Sequence, residues 1–233
     1  MFRYIAQDGE KGFDIYRFPF ELVDSNMFFI PSGETGIVLD PNENKELLKA
    51  FEEYGTKHIV IVLTHEHYDH TTGVNWLQSK IESTLFCHQA CAEAISTEKG
   101  NDPKTLGYIL TLRDAVDGGH RRDDYMAIAK HYSLRADQSF SHEYELIVGD
   151  IKLKCIPAPG HSPGSALYFL GDRSVFTGDS LIQNTPTIVH LPGSDRTVFK
   201  QKTKPYLQSL DKEMMVYPGH GDPFKLKDAE FLW

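Results

Sequence analysis

The chain has 233 residues, carries 24 Lys and Arg against 33 Asp and Glu, and has a formal net charge of −9. That length suits one large domain or two small ones with a real buried core. The acidic balance argues against long nucleic acids and anionic membrane surfaces as partners, and the lack of any run of about 18 apolar residues argues against a membrane-spanning helix.

Residues 1–12 show no apolar core of a secretory signal. Cys87, Cys91 and Cys155 form no CxxC pair and read as packed thiols. A cytoplasmic protein is therefore expected.

Residues 2–20 are rich in aromatics and alternate loosely, which predicts short strands around a turn at Gly9-Glu10-Lys11-Gly12. Strands follow at 26–30 and 35–39, joined by the turn Pro31-Ser32-Gly33-Glu34. The second ends at Asp40-Pro41. That carboxylate reads either as a partner orienting a metal-binding histidine or as a plain turn residue. Asn42 is placed to cap a helix over 43–54, with Leu47, Leu48, Phe51 and Tyr54 on its apolar face and Gly55 as its stop. The run His58-Ile59-Val60-Ile61-Val62-Leu63 reads as a buried strand, parallel to the one before the helix. Val74, Leu77 and Ile81 mark another helix, and 85–87 a short strand.

From about 88 to 142 the pattern turns helical, over 89–99, 104–116 and 123–132, with breaks at Pro103 and Gly118-Gly119. This reads as a helical insertion. Its segment Gly118-Gly119-His120-Arg121-Arg122 is a candidate substrate-facing loop, with a solvated charged turn as the competing reading. Strands resume at 144–148 and 151–156 around Gly149-Asp150, then at 166–170 and 174–177. Residues 198–210 read as a helix bent near Pro205, and 214–217 as the last strand.

The stretch that carries chemistry is Thr64-His65-Glu66-His67-Tyr68-Asp69-His70, directly after the strand at 58–63. In an extended segment, spacing of two puts His65 and His67 on one face. Asp69 continues the alternation, and a turn frees His70. Imidazoles and carboxylates are ligands for zinc and its harder relatives. Ligand-type residues recur at later strand ends: His161 on a Pro/Gly loop, Asp179, and His220. Both halves thus end strands in such residues, and two similar sheets packed face to face with helices outside is the economical architecture.

Over about 25–224 the chain resembles the metallo-β-lactamase superfamily. The match is carried by His65-x-His67-x-Asp69-His70 followed in order by His161, Asp179 and His220. The resemblance implies an α/β fold, an αββα sandwich of two mixed β-sheets with helices on both outer faces, in one domain spanning 1–233. It also implies two divalent metal ions, zinc first and iron or manganese as alternatives. His65, His67 and His161 would hold one, Asp69, His70 and His220 the other, and Asp179 would bridge them. Pro159-Gly160-His161-Ser162-Pro163-Gly164 and Phe176-Thr177-Gly178-Asp179-Ser180 look most like glyoxalase II (hydroxyacylglutathione hydrolase) and its thioesterase relatives. Only Gly73 is kept of the Gly-Gly pair usual after the leading motif.

The implied function is a metal-dependent hydrolase that cleaves a small acyl ester, thioester or lactone with a metal-bridging hydroxide. Asp69 would also orient that nucleophile. Tyr168, His190 and Arg196, with Arg121 and Arg122, are candidates for holding substrate, each with packing or surface exposure as its competing reading. Three alternatives stay open: a phosphodiesterase on a small phosphodiester, a mononuclear iron oxygenase, and a non-catalytic module that kept the ligands.

Overall fold

The computed structural model describes residues 1–9, 11–98 and 102–229. Strands β1 (Phe2–Asp8), β2 (Lys11–Phe20), β3 (Ser25–Ser32) and β4 (Thr35–Leu39) run as an antiparallel meander. Helix α1 (Lys45–Tyr54) crosses to β5 (His58–Leu63), which lies parallel to β4. Short helices α2 (Tyr68–Thr71) and α3 (Val74–Gln78) lead to β6 (Glu82–His88), parallel to β5. Helices α4 (Gln89–Ile95), α5 (Lys104–Asp117) and α6 (Arg121–Ile128) follow, then β7 (Gln138–Phe140), which completes the seven-stranded first sheet beside β6. The second sheet has six strands. They are β8 (Tyr144–Val148), β9 (Ile151–Pro157), β10 (Ala166–Leu170), β11 (Ser174–Gly178), β12 (Met215–Pro218) and β13 (Phe224–Lys225). Helix α7 (Arg196–Val198), a π-helical turn at Phe199–Thr203, and α8 (Lys204–Ser209) connect β11 to its parallel neighbour β12.

Alternation along the strands sorts the apolar side chains into layers. On β3, Phe28 and Ile30 enter the core between the sheets, where they meet Leu153, Tyr168, Phe176 and Tyr217. Phe29 between them faces outward, against Leu47, Ala50 and Phe51 of α1. On β10, Tyr168 points inward, while Leu167 and Phe169 pack in an outer layer with Leu207 of α8. Sheets covered on both faces explain why these strands read as continuous apolar runs. The result is the expected αββα sandwich.

Several local expectations need correction. Asn44, not Asn42, caps α1 by accepting from the Glu46 amide. Asn42 is instead buried and donates its side-chain amide to the Phe18 carbonyl. Gly55 does end α1, in the left-handed conformation. The segment 88–142 is not one insertion. Helix α4 packs on the first sheet through Cys91 and Ile95, and β7 belongs to that sheet. Only α5 and α6 depart from the sandwich, and they build a small cluster with Val23, Tyr68, Leu106, Leu110 and Tyr125. The last strand is β13, beyond the one expected at 214–217. Glu10 of the expected first turn and residue 99 of the expected helix 89–99 lie outside the described residues.

The retained glycine of the leading motif has a packing reason. A Cβ on Gly73 would stand 2.5 Å from both the Pro41 carbonyl oxygen and the Asn42 Cα. Both obstacles are backbone, and the Gly73 amide donates to that same carbonyl at 2.9 Å. Gly73→Ala is expected to cost about 3 kcal/mol of stability by overpacking, read as a lower urea midpoint at unchanged m-value.

Candidate metal centre

The carboxyl ends of β4, β5, β9, β11 and β12 share one edge of the sandwich, because these strands are parallel within their sheets. Each delivers a polar side chain there: Asp40, the 64–70 segment, His161, Asp179 and His220. Strand ends of one sense are where an α/β scaffold usually builds its site. The Ala166 amide donates to the Thr64 carbonyl at 2.9 Å and ties the two sheets together beside it.

His65, His67 and His161 bring ligand atoms within 4.8 Å of one another, and so do Asp69, His70 and His220. Asp179 lies between the groups. Its Oδ1 is 3.4 Å from His70 Nε2, and its Oδ2 is 3.7 Å from His161 Nε2 and 3.5 Å from His220 Nε2. Asp69 Oδ2 is 3.2 Å from His220 Nε2 and 3.5 Å from His70 Nε2. Asp69 and His70 reach this position from the short helix α2, not by the extended alternation expected from their spacing.

The surrounding hydrogen bonds fix which ring nitrogen each histidine presents. His70 Nδ1 donates to Asp40 Oδ2 at 2.9 Å. The Thr64 hydroxyl spends its proton on the same oxygen at 2.6 Å, so it accepts from His65 Nδ1 at 3.0 Å. His161 Nδ1 donates to the Ile188 carbonyl at 2.8 Å, and His220 Nδ1 to the Val23 carbonyl at 3.2 Å. Four Nε2 atoms therefore face the centre. His67 turns its Nδ1 inward instead, 3.0 Å from His161 Nε2. At that distance His67 Nδ1–H donates to His161 Nε2, or both nitrogens turn lone pairs to a shared cation. His65 Nε2, His70 Nε2 and Asp179 Oδ1 are buried without a hydrogen-bond partner, a costly state that a bound cation relieves. The donor set fits two borderline metal ions of the zinc or iron type.

Electrostatics divide the cluster in the same way. Burial pushes the His65 and His161 imidazoles down, and His67 to about 3, so these three are neutral. Burial also disfavours charge at His70 and His220, but the neighbouring carboxylates override it, raising His70 and carrying His220 up to about 10. Burial would raise Asp69 and Asp179, yet the same imidazoles hold both below the usual carboxylate range.

Asp40 is a positioning residue rather than a plain turn. It has φ +49°, and it accepts from the Thr64 amide at 2.7 Å as well as from the Thr64 hydroxyl and His70. Such strain persists only where the surroundings enforce it. Asp40→Ala is expected to weaken metal affinity about 10- to 100-fold with the fold retained, measured by competition against a chelating dye.

Glu66 carries a role that its place between two motif histidines concealed. It is buried, its Oε2 accepts from the Ser162 hydroxyl at 2.9 Å, and its Oε1 accepts from the Gly164 amide at 3.3 Å. It thus clamps the loop bearing His161 onto the loop bearing His65 and His67. Alternation along 65–67 was the available signal, since it turns Glu66 away from the metal face.

The expected substrate-holding residues are displaced from the centre. Tyr168 is wholly buried between the sheets and donates to the Leu63 carbonyl at 2.8 Å. Arg196 is exposed at the start of α7, and His190 is exposed on the loop before it. Arg121 is held by Asp117 at 2.7 Å and Asp114 at 3.1 Å, and Arg122 by Asp123 at 2.9 Å. Gly118, left-handed at φ +74°, ends α5, so this loop is a charged turn. The cleft over the centre, about 570 Å³, is lined by other residues, among them Leu106, Ile109, Leu110, Arg113, Ile182 and Ile188.

Comparison with known proteins agrees with this geometry. Residues 21–220 match the family model described as the metallo-beta-lactamase superfamily. The chain is 27% identical over 208 residues to the probable metallo-hydrolase YqgX of Bacillus subtilis (strain 168), covering 88% of this chain and 89% of that one. It is 28% identical over 184 residues to a hydroxyacylglutathione hydrolase of Pelagibacter ubique (strain HTCC1062), covering 78% of this chain and 60% of that protein. The crystal structure of the BLEG-1 B3 metallo-beta-lactamase superposes with a TM-score of 0.75 at 20% identity, covering 92% of this chain and 95% of that one. At that identity the superposition establishes the shared fold. Among the described residues no helix is long and apolar enough to cross a membrane.

Proposed function

The chain belongs to the metallo-beta-lactamase superfamily, and on that premise we propose that it is a two-metal hydrolase of small acyl thioesters, esters or lactones. The observation that carries this reading is Asp179, which stands between two separate ligand triads, each with its lone pairs turned inward. Two divalent cations, zinc first and iron or manganese as alternatives, would bring the pKa of a water towards neutrality and polarise the carbonyl it attacks. His65, His67 and His161 would hold the first cation and Asp69, His70 and His220 the second, with Asp179 placed to serve both. Asp69, kept ionised by His70 and His220, would be the acceptor that orients an attacking water. Glu66 and Asp40 fix the loops that set this geometry.

Acyl rather than phosphoryl transfer is supported by the charge of the cleft. Asp24, Asp102 and Asp222 line it, with Arg113 as the one Lys or Arg among the described lining residues. Similarity to a hydroxyacylglutathione hydrolase supports the same class. Three buried free cysteines suit a reducing cytoplasm.

Metal analysis of gently purified protein, followed by equal concentrations of a small thioester, a lactone and a bis-aryl phosphate, tests this reading. Bound transition metal and hydrolysis of an acyl substrate are expected, with activity lost on chelation and restored by zinc or manganese. A higher kcat/KM for the phosphate diester than for both acyl substrates would replace the reading by a phosphodiesterase.

A further inference from the structure

The metal-facing cleft does not end at its own rim. A second depression, about 650 Å³, meets it along Ile109, Arg113, Ile188 and Leu191. Its far wall is formed by Tyr108, Leu112 and Val116. These three are spaced four apart on α5, so they form one stripe. They are 63%, 52% and 89% exposed, among the most exposed large apolar side chains described. Leu106 and Leu110, on the inner side of the same helix, are buried. An apolar path therefore runs from the ligand cluster, past Ile109, along α5 to solvent.

We propose that this trough binds the aliphatic chain of the substrate's acyl group, so that the enzyme prefers medium- or long-chain acyl thioesters, esters or lactones to acetyl ones. The inference rests on the acyl-hydrolase reading and names its substrate class. Three features argue for an acyl chain as the occupant. The trough adjoins the cleft over the centre through shared walls, so a chain attached to the scissile bond reaches it. Its cations are few: Arg121 is neutralised by Asp114 and Asp117, and Arg113 has one Nη1 donor on the Val23 carbonyl at 3.0 Å. Carboxylates of Glu21 and Asp24 stand along it beside the Arg121–Asp117 pair, which disfavours a polyanionic carrier and favours an uncharged chain.

The test is a homologous series of acyl thioesters from acetyl to dodecanoyl, assayed with the metal-loaded enzyme. kcat/KM should rise by up to about fourfold per methylene until the trough is filled. Leu112→Glu should lower the dodecanoyl-to-acetyl ratio at least tenfold, because it places a carboxylate in the path. Ile147→Glu, an equally exposed change on β8, should leave the ratio unchanged. Alkanoate binding to the metal-loaded protein, followed by calorimetry, should tighten with chain length and show a negative heat-capacity change. A flat or falling series with the acetyl compound turned over overturns the trough and leaves the acyl reading standing. Preference for a bis-aryl phosphate over every acyl compound removes both. Equal ratios in Leu112→Glu and wild type place the chain elsewhere and overturn the inference.

Discussion

Asp179→Ala is expected to lower metal content and turnover together, with kcat falling about a thousandfold, or about 4 kcal/mol of transition-state stabilisation. The reason is that this carboxylate faces three imidazoles drawn from both triads, at 3.4–3.7 Å. In the proposed centre it would supply negative charge to both cation positions and set their separation. Without it, the two cations would repel one another with nothing between them, which outweighs the eased deprotonation of His70 and His220. Asp179→Asn separates charge from shape, since the amide keeps the packing but not the anion. It should retain the fold and lose metal almost as far as alanine does. Elemental analysis beside steady-state kinetics checks both variants. A variant with two metals and unchanged turnover would rule out the bridging role.

The second large effect concerns pH. The Asp69–His70–His220 triad must release two protons to take a cation, because His70 is raised and His220 titrates near 10 in the metal-free protein. Its apparent affinity should therefore climb with pH by up to about a hundredfold per unit through the neutral range. The triad of His65, His67 and His161 is neutral already, so its affinity should be flat above pH 6.5. Metal titrations at pH 6, 7 and 8 against a competing chelator resolve the two slopes, and equal slopes would contradict the assignment. Metal-free stability follows the same shifts. His220 is raised above its unfolded value of about 6.5, so its contribution is complete below 6.5 and lost as pH rises towards 10. His67 is depressed, so its contribution is complete above 6.5 and lost as pH falls towards 3. The metal-free melting temperature should peak near pH 6.5, and the metal-loaded protein should hold its value to higher pH.

Much of this was legible in the residues. Thr35–Leu39, His58–Leu63 and Ala166–Leu170 were readable because β-branched and aromatic runs end at Asp, Thr-His or Gly. The candidate ligand cluster was readable because ligand-type side chains follow the ends of β5, β9, β11 and β12. What escaped depended on long-range contact. Strand β7 has three residues and β13 two, too few for any period to show. Asn42 and Asn44 are equally good caps locally, and the Phe18 carbonyl decides between them. Tyr168 shares the inner face of β10 with Ala166 and Leu170, so it fills the core and cannot reach the cleft. Leu106, Ile109 and Leu110 form the cleft wall only because α5 docks over α2, and helix placement is not written in helix periodicity.

The loop bearing His220 is fastened to strands from the other end of the sequence. Asn26 Nδ2 donates to the carbonyls of Pro218 at 2.9 Å and Gly221 at 2.7 Å, and the buried Arg17 pairs with Asp222. Six of the seven proposed ligand residues are translated before His220, and the ring closes only when β12 pairs with β11 and His220 bridges to Ser25 of β3. A chain still being made thus lacks a complete second triad. Metal capture at the second triad would then be a late event, acting on the finished fold as a latch. Such an interaction, absent from the folding transition state, slows unfolding and leaves the folding rate nearly unchanged. Loaded protein should resist proteolysis for far longer than metal-free protein under conditions where the two refold at similar speed.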